Sequence, residues 1–392
     1  MISRDDATWM RRAVELGARG TRDVRPNPLV GCVIVQDGQE IASGWHAKVG
    51  GPHAEAAALA ELAGQAPGAT AYVTLEPCAH FGRTPPCAQA LVHAGIARVV
   101  IGALDPNPQA AGGVATLRAA GVEVVTGVEE EACRALAEVF LTRMERGRPL
   151  VQAKLAMTLD GRIAAKDGTS RWISGPEARR RVHLWRAEAE AVLTGSGTAQ
   201  VDDPTLDVRD VDDPSTASQP LRVVLDRRLR LDPESRLADT ARQRTLVFVD
   251  DPVVLATDRA RALRDRGVEL VCLVAGTAPT VGDVDGSWLT DVLRALAARG
   301  VHHVLAEAGP GLTSALLRQD LVDRLDLFIA PKLLGAGVPV VGDLGVASLD
   351  QALQWRLDGT ERLGDDVLLT LRPRRTVSNI HRNSPFGQSP AR

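Results

Sequence analysis

The stretch Thr74-Leu-Glu-Pro-Cys78-Ala-His-Phe-Gly-Arg-Thr-Pro-Pro-Cys87, read with Gly50-Gly-Pro-His53-Ala-Glu55 upstream, decides the character of the first half of this chain. The apolar run Ala71–Leu75 predicts a strand ending just before Cys78. The alanine-rich Ala54–Ala63 predicts a helix opened by His53, and Cys87–Ala94 predicts another. For the latter Thr84 is the expected N-cap, with Pro85 or Pro86 at the first helical position. His53, Cys78 and Cys87 together form an N,S,S donor set. A catalytic zinc takes three protein ligands and keeps one position open for water, whose pKa it lowers to about 7. Helix starts favour thiolate and neutral imidazole through the positive end of the dipole. Glu55, two residues beyond His53, is suited to carry a proton between that water and a leaving amine. A structural zinc would want four protein ligands; His80 could supply the fourth, but Glu55 would then have no task.

Outward from this core, strands are predicted at Leu29–Gln36, Val99–Gly102 and Val122–Thr126, and helices at Asp5–Gly17 and Glu129–Arg143. Alternating strands and helices mean a layered α/β domain. A second alternation has strands at Leu150–Leu155, Ala191–Leu193, Leu221–Leu225, Thr245–Val249 and Val301–Ala306. Its helices are expected at Pro176–Arg186, Asp258–Arg266 and Leu289–Ala298. The charged Arg143–Pro149, with a Gly and a Pro, is the expected joint, and Val211–Pro220 a surface loop. The polar, aperiodic segment after Leu371 predicts a disordered tail. The division is therefore 1–146, 147–372 and a tail of 373–392.

With 45% apolar and 24% charged residues the composition is that of a soluble globular protein. A net charge of −3 offers no broad positive field for nucleic acid. No window is apolar enough to span a membrane, and the N-terminus has no secretory h-region, so a cytoplasmic protein is expected. Five cysteines fit metal ligands and core thiols better than a disulfide frame, and Cys32, Cys133 and Cys272 sit in apolar or helical settings. Lysine occurs only at Lys48, Lys154, Lys166 and Lys332, which makes each of them conspicuous.

H-x-E followed by P-C-x-x-C is the signature of zinc nucleobase deaminases. Here the cysteines are spaced C-x8-C. That insertion resembles the loop of the riboflavin-pathway deaminases of the RibD type. So do Pro26-Asn-Pro-Leu-Val-Gly31, Gly44-Trp-His46 and Asp105-Pro-Asn-Pro108, in the order the family shows them. The resemblance implies a cytidine-deaminase-like layered domain. It places Asn27, His46, His80, Arg83, Asp105 and Asn107 around the substrate. Amides and carboxylates can read pyrimidine donors and acceptors, and Arg83 can meet a phosphate. Where the family carries a basic residue and a glycine, this chain has Gly113 and Val114.

Leu150–Arg209 resembles the reductase domain of the same family, which has a dihydrofolate-reductase-like fold. The matching segments are Lys154-Leu-Ala-Met-Thr-Leu-Asp-Gly-Arg162, Ser170-Arg-Trp172-Ile-Ser, Arg186, Thr194-Gly-Ser-Gly-Thr198 and Asp202-Asp-Pro-Thr-Leu206-Asp-Val-Arg209. Glu307-Ala-Gly309-Pro-Gly-Leu312, between a strand and a helix, suits an anion cradle of backbone amides; no G-x-G-x-x-G fingerprint occurs. The resemblance implies NADPH contacts at Ala156, Trp172, Thr198, Asp202 and Gly309, Pro310, Gly311, Leu312, Thr313, Ser314 and Ala315. It implies substrate contacts at Ser170, Arg186, Leu206, Arg209 and Glu307. Lys154 and Asp202 are the expected proton-transfer groups, although an ion pair would account for them equally; Asp160 and Arg162 suit a turn.

The implied function is bifunctional: zinc-dependent deamination of a phosphorylated diaminopyrimidine nucleotide, then NADPH-dependent reduction of its ribosyl group, in a homo-oligomer. Two other readings stand beside it. One is a tRNA or free-base deaminase whose second half serves recognition, which the C-x8-C loop and the weak basic character oppose. The other is a zinc-stabilised binding module, which zinc-dependent ammonia release would exclude.

Overall fold

Alternation in Gly31–Gln36 (β1) organises the first sheet. Cys32 and Ile34 are buried in one apolar cluster and Val33 and Val35 in another, so the strand is covered on both faces. The computed structural model describes residues 4–80, 86–209, 211, 219–274 and 288–374. The chain divides into two compact units, Met1–Glu145 and Arg146–Arg392.

In the first unit β1 joins Gln39–Trp45 (β2), Thr70–Leu75 (β3), Arg98–Ala103 (β4) and Glu123–Thr126 (β5). The order is β2-β1-β3-β4-β5, with β1 antiparallel to β2 and β3 and the β3-β4-β5 part parallel. Arg4–Gly17 (α1), Glu130–Leu136 (α5) and Glu138–Arg146 (α6) supply side chains to one cluster. Ala54–Glu61 (α2), Cys87–His93 (α3) and Gly113–Ala119 (α4) supply the other. The result is a three-layer α/β unit.

The strand and helix expectations of this half hold to within a few residues, with instructive exceptions. The single helix expected over Glu129–Arg143 is two, interrupted at Ala137, and the second runs to Arg146. Much of the supposed joint is therefore helical. Pro86, not Thr84, is the residue before α3; Thr84 and Pro85 lie outside the described residues. The edge strand β2 and the helix α4 were not anticipated. β2 is polar and partly exposed, and α4 opens on glycines.

The second unit has Leu150–Thr158 (β6), Arg162–Ala165 (β7), Ala191–Gly195 (β8), Leu221–Leu225 (β9), Thr245–Val249 (β10), Glu269–Cys272 (β11), His303–Ala306 (β12), Arg324–Ala330 (β13), Gly337–Pro339 (β14), Trp355–Leu363 (β15) and Asp366–Pro373 (β16). The large sheet runs β11-β10-β9-β8-β12-β6-β13-β16-β15, and β14 pairs β7 separately. It is parallel from β11 to β13, with β16 and β15 antiparallel at one edge. Pro176–Glu188 (α7) and Asp258–Asp265 (α9) pack on one face; Trp288–Ala298 (α10) and Pro310–Arg318 (α11) pack on the other. The short Ser196–Asp202 (α8) follows β8. The residues of the expected tail from 375 onward, and most of the Val211–Pro220 loop, lie outside the described residues. Among the described residues no helix is long and apolar enough to cross a membrane.

Candidate active sites

His53 is the residue before α2, Cys78 follows β3, and Cys87 opens α3. Their ligand atoms all lie within 4.8 Å of one another. Cys87 Sγ is 3.3 Å and Cys78 Sγ 3.7 Å from His53 Nδ1. Ligands of a tetrahedral zinc, at bond lengths of about 2.0–2.3 Å, sit roughly 3.5 Å apart, so the set fits the ion. The two thiols titrate as a pair. The hydrogen bond with Cys87 holds Cys78 down to about 4, and the same bond together with burial pushes Cys87 up. Cys87 N–H also donates to Cys78 Sγ at 3.4 Å.

Glu55, in the first turn of α2, is only 3% exposed, and burial raises its pKa. A buried carboxyl beside the ligand cluster is placed to exchange a proton with a group bound there.

His46 is buried, its ring edge-on to His53 at 5.3 Å. Its Nδ1 donates to Pro52 O at 2.9 Å, which leaves Nε2 to accept from Asn27 Nδ2 at 3.1 Å. Burial lowers its pKa, in keeping with the neutral ring these bonds require. Asn27 thus presents its carbonyl oxygen as an acceptor, and His46 acts on it as a brace. Asp105 and Asn107 follow β4 in successive Asx turns: Asn107 N–H donates to Asp105 Oδ1 at 2.8 Å and Gln109 N–H to Asn107 Oδ1 at 3.1 Å. Burial raises the pKa of Asp105. His80 is exposed, and Arg83 lies outside the described residues.

Sequence reasoning passed over Glu76. Its Oε1 accepts from Gly112 and Val114 N–H at 3.1 and 3.0 Å, and its Oε2 from Asp105 N–H at 3.3 Å. A Cβ on Gly113 would lie 1.9 Å from Pro77 O, so only glycine allows this loop to meet the segment carrying Cys78. The signal was available: a carboxylate at a strand end, directly before Pro-Cys.

In the second unit a cavity of about 1030 Å³ opens beyond the ends of the parallel strands. It is lined by residues following β8, β9, β10 and β12, the usual place for a ligand in such a sheet. Ser170, Thr198, Asp202, Gly309, Pro310, Gly311, Leu312 and Ala315 line it as expected residues. Thr198 Oγ1 accepts Gly309 N–H at 3.0 Å, tying the start of α8 to that of α11. Thr313 and Ser314 are buried, their hydroxyls engaged with Ala308 O and Gly342 N–H, so their side chains face inward. Trp172 is 61% exposed beneath the Arg179 guanidinium. Lys332 donates to the carbonyls of Trp172 and Ile173 at 2.6 and 2.8 Å, a brace not visible in the sequence. Ala156 packs against the core beside Phe328, and Leu206 is itself a core residue with a left-handed backbone (φ 52°).

Arg186 pairs both nitrogens with Glu307, Nε at 2.6 Å and Nη2 at 3.0 Å, and donates to Asp207 O at 2.9 Å. Lys154 on β6 has its pKa lowered by burial, an effect that Glu307 and then Asp202 oppose and Arg186 reinforces. Asp202 is raised by burial and pulled down by Arg171 and Lys154. The two expected proton-transfer groups therefore sit within one charge network. Arg209 pairs with Asp207, and His183 Nδ1 accepts Arg209 N–H at 3.3 Å. Asp160 lies in the turn after β6, as expected, and its carboxylate also accepts from the distant Leu334 and Gly335 N–H; Arg162 opens β7 instead of joining that turn.

These two sites define a zinc-binding deaminase joined to a reductase of the NADPH-using type. Residues 3–103 match the cytidine and deoxycytidylate deaminase zinc-binding region, and residues 149–369 match the RibD C-terminal domain. The chain is 40% identical over 370 residues to the riboflavin biosynthesis protein RibD of Aquifex aeolicus, covering 94% of this chain and 99% of that one. Escherichia coli RibD is also 40% identical, over 93% of this chain and 99% of its own. Acinetobacter baumannii RibD superposes with a TM-score of 0.78 at 40% identity, over 95% and 99% of the two chains. A diaminohydroxyphosphoribosylaminopyrimidine deaminase/5-amino-6-(5-phosphoribosylamino)uracil reductase from Thermotoga maritima gives 0.76 at 36% identity, over 94% and 99%. The chain belongs to the RibD family, the bifunctional deaminase-reductases of riboflavin biosynthesis.

Proposed function

We propose that the first unit hydrolytically deaminates 2,5-diamino-6-(5-phosphoribosylamino)-4(3H)-pyrimidinone and that the second reduces the ribosyl group of the product to ribityl. The observation that carries the first step is the His53–Cys78–Cys87 cluster with the buried Glu55 in the first turn of the helix that His53 precedes. Zinc held by these three would supply a water acidified toward neutral pH. Glu55 takes a proton from the attacking water and returns it to the departing amine, so that water is consumed, ammonia leaves and a carbonyl replaces the 2-amino group. Asn27, braced by His46, offers an acceptor to the pyrimidine, and Asp105 and Asn107 offer polar groups from the loop that Glu76 holds. His80 is a further substrate contact, and the role that the family resemblance implies for Arg83 is recognition of the phosphate.

For the second step, NADPH when bound would supply hydride at C1′ of the ring-opened ribosylamino group. Lys154 or Asp202 provides the accompanying proton, and Arg186, Arg209, Ser170, Leu206 and Glu307 surround the sugar phosphate. Ala156, Trp172, Thr198 and Gly309–Ala315 would hold the cofactor. The Thermotoga relative supports the order, since the reductase substrate in its name is a uracil and hence already deaminated. We also infer self-association, at least as a dimer: among the described residues, eight of the fifteen exposed large apolar side chains fall between Leu333 and Val367. A cytoplasmic location suits a chain whose cysteines are all free.

The test is to incubate purified protein with the diaminopyrimidine nucleotide, with and without NADPH and with and without a chelator, and to resolve products by mass. Deaminated product should form without NADPH and disappear on chelation, and the ribityl compound should form only with NADPH. Full deamination by metal-free protein would refute the zinc assignment.

A further inference from the structure

We propose that Arg227, Arg228 and Arg230 form a subsite for the 2′-phosphate on the adenosine ribose of NADPH, the group that distinguishes it from NADH; this rests on the reductase reading above. All three follow β9 and line the same cavity as Thr198 and Gly309–Leu312. NADPH brings two separate anionic groups to such a cavity. The pyrophosphate is matched by backbone amides at the start of α11, where a helix terminus meets an anion. A terminal phosphate monoester, close to dianionic, calls instead for guanidinium groups.

The carboxylates nearby offset Arg227 and part of Arg230 but leave Arg228 uncompensated. Asp226 is fully buried, and its Oδ2 accepts Leu231 N–H at 2.7 Å; its Oδ1 lies 4.0 Å from Arg230 Nε. Arg230 also donates to Ser196 Oγ at 2.7 Å, which holds it toward the cavity wall. Arg227 is fixed between Asp250, with which it pairs, and the Trp288 ring at 5.9 Å. Arg228 has no hydrogen bond or ion pair among the described residues, and it is exposed on the cavity lining. Trp288 Nε1 is buried at the same end without a partner among those residues, a donor as yet unused. The arginines assigned to the substrate phosphate, Arg186 and Arg209, do not line this cavity. The two phosphate tasks therefore fall to separate groups.

The experiment is calorimetric titration of full-length protein with 2′,5′-ADP, 5′-AMP and NADPH. Wild type should bind 2′,5′-ADP at least about 10-fold more tightly than 5′-AMP, the scale of one charge-assisted hydrogen bond. Added salt should narrow the gap. Arg228→Gln should remove about 10-fold of that preference and Arg228→Glu more, with 5′-AMP affinity and melting temperature unchanged. Arg227→Gln with Arg228→Gln should abolish the preference. Equal wild-type affinity for the two probes, or variants that keep the preference or lose both probes in parallel, would overturn the subsite while NADPH binding by wild type left the reductase reading standing. Wild type that binds no NADPH would overturn both.

Discussion

Glu76→Gln offers a sharp test of how the deaminase pocket is held. The carboxylate accepts three backbone amides, two on Oε1 and one on Oε2. Glutamine has one acceptor oxygen. If it keeps Gly112 and Val114, its –NH2 faces the Asp105 N–H, donor against donor, and the two remaining bonds lose their charge assistance. A hydrogen bond to a charged group contributes about 1.5–3 kcal/mol, so the loop loses roughly 2–3 kcal/mol of restraint. The loss begins at Asp105, whose Oδ1 holds Asn107, whose own Oδ1 holds Gln109. The disturbance therefore passes directly into the groups assigned to the pyrimidine. We expect kcat/KM for deamination to fall roughly 10- to 100-fold, at about 1.4 kcal/mol per tenfold. Most of the change should appear in KM, since Glu55 and the ligand cluster are untouched. Zinc content and reductase kinetics should be those of wild type. A folded variant with unchanged deaminase kinetics would refute the reasoning, and so would loss of zinc, because Glu76 would then be supporting Cys78 rather than the loop.

Glu55→Gln should lower deamination at least about 100-fold while zinc content by metal analysis stays the same. A variant with near-normal turnover removes Glu55 from the proton path. Tyr72 donates to Asp6 Oδ1 at 3.1 Å, and burial, with Asp6, pushes its pKa up to about 12. The folded value lies above the ordinary one of about 10, so its stabilisation is whole below that pH and is lost as pH rises through about 12. Melting of wild type should show a loss of stability in that window that Tyr72→Phe lacks. A reductase fragment beginning at Arg146 should fold and reduce the deaminated nucleotide. One beginning at Leu150 should be less stable by about 3–5 kcal/mol in urea titration, because it lacks Arg148, whose guanidinium pairs with the buried Asp323 at 2.6 and 3.0 Å. Equal midpoints for the two fragments would remove that pair from the account.

What the sequence disclosed and what it withheld divide along a physical line. His53, Glu55, Cys78 and Cys87 were legible because zinc chemistry demands particular atoms at helix starts and strand ends, and local sequence sets those positions. The parallel strands β8, β9 and β10 were legible as short apolar runs between turn signals, since both of their faces are buried. The strands β15 and β16 were not, because Trp355–Leu363 is mostly exposed and reads as polar, and its strand character comes from pairing rather than from pattern. Hidden for the same reason were the residues that hold others in place. Glu76 reaches Gly112 and Val114, Lys332 reaches Trp172, and Arg148 reaches Asp323 across long stretches of chain. Local sequence makes Glu76 and Lys332 conspicuous, but it names the partner of none of the three. Arg227-Arg-Leu-Arg230 is an intermediate case: the charge run was visible directly after a predicted strand, but only the sheet order, which sets β9 beside β8 and β8 beside β12, brings it to the cavity shared with Gly309. A run of charge on a strand end is a solvated turn by default. It becomes a binding feature when the neighbouring parallel strands end in glycine-rich helix starts on the same side.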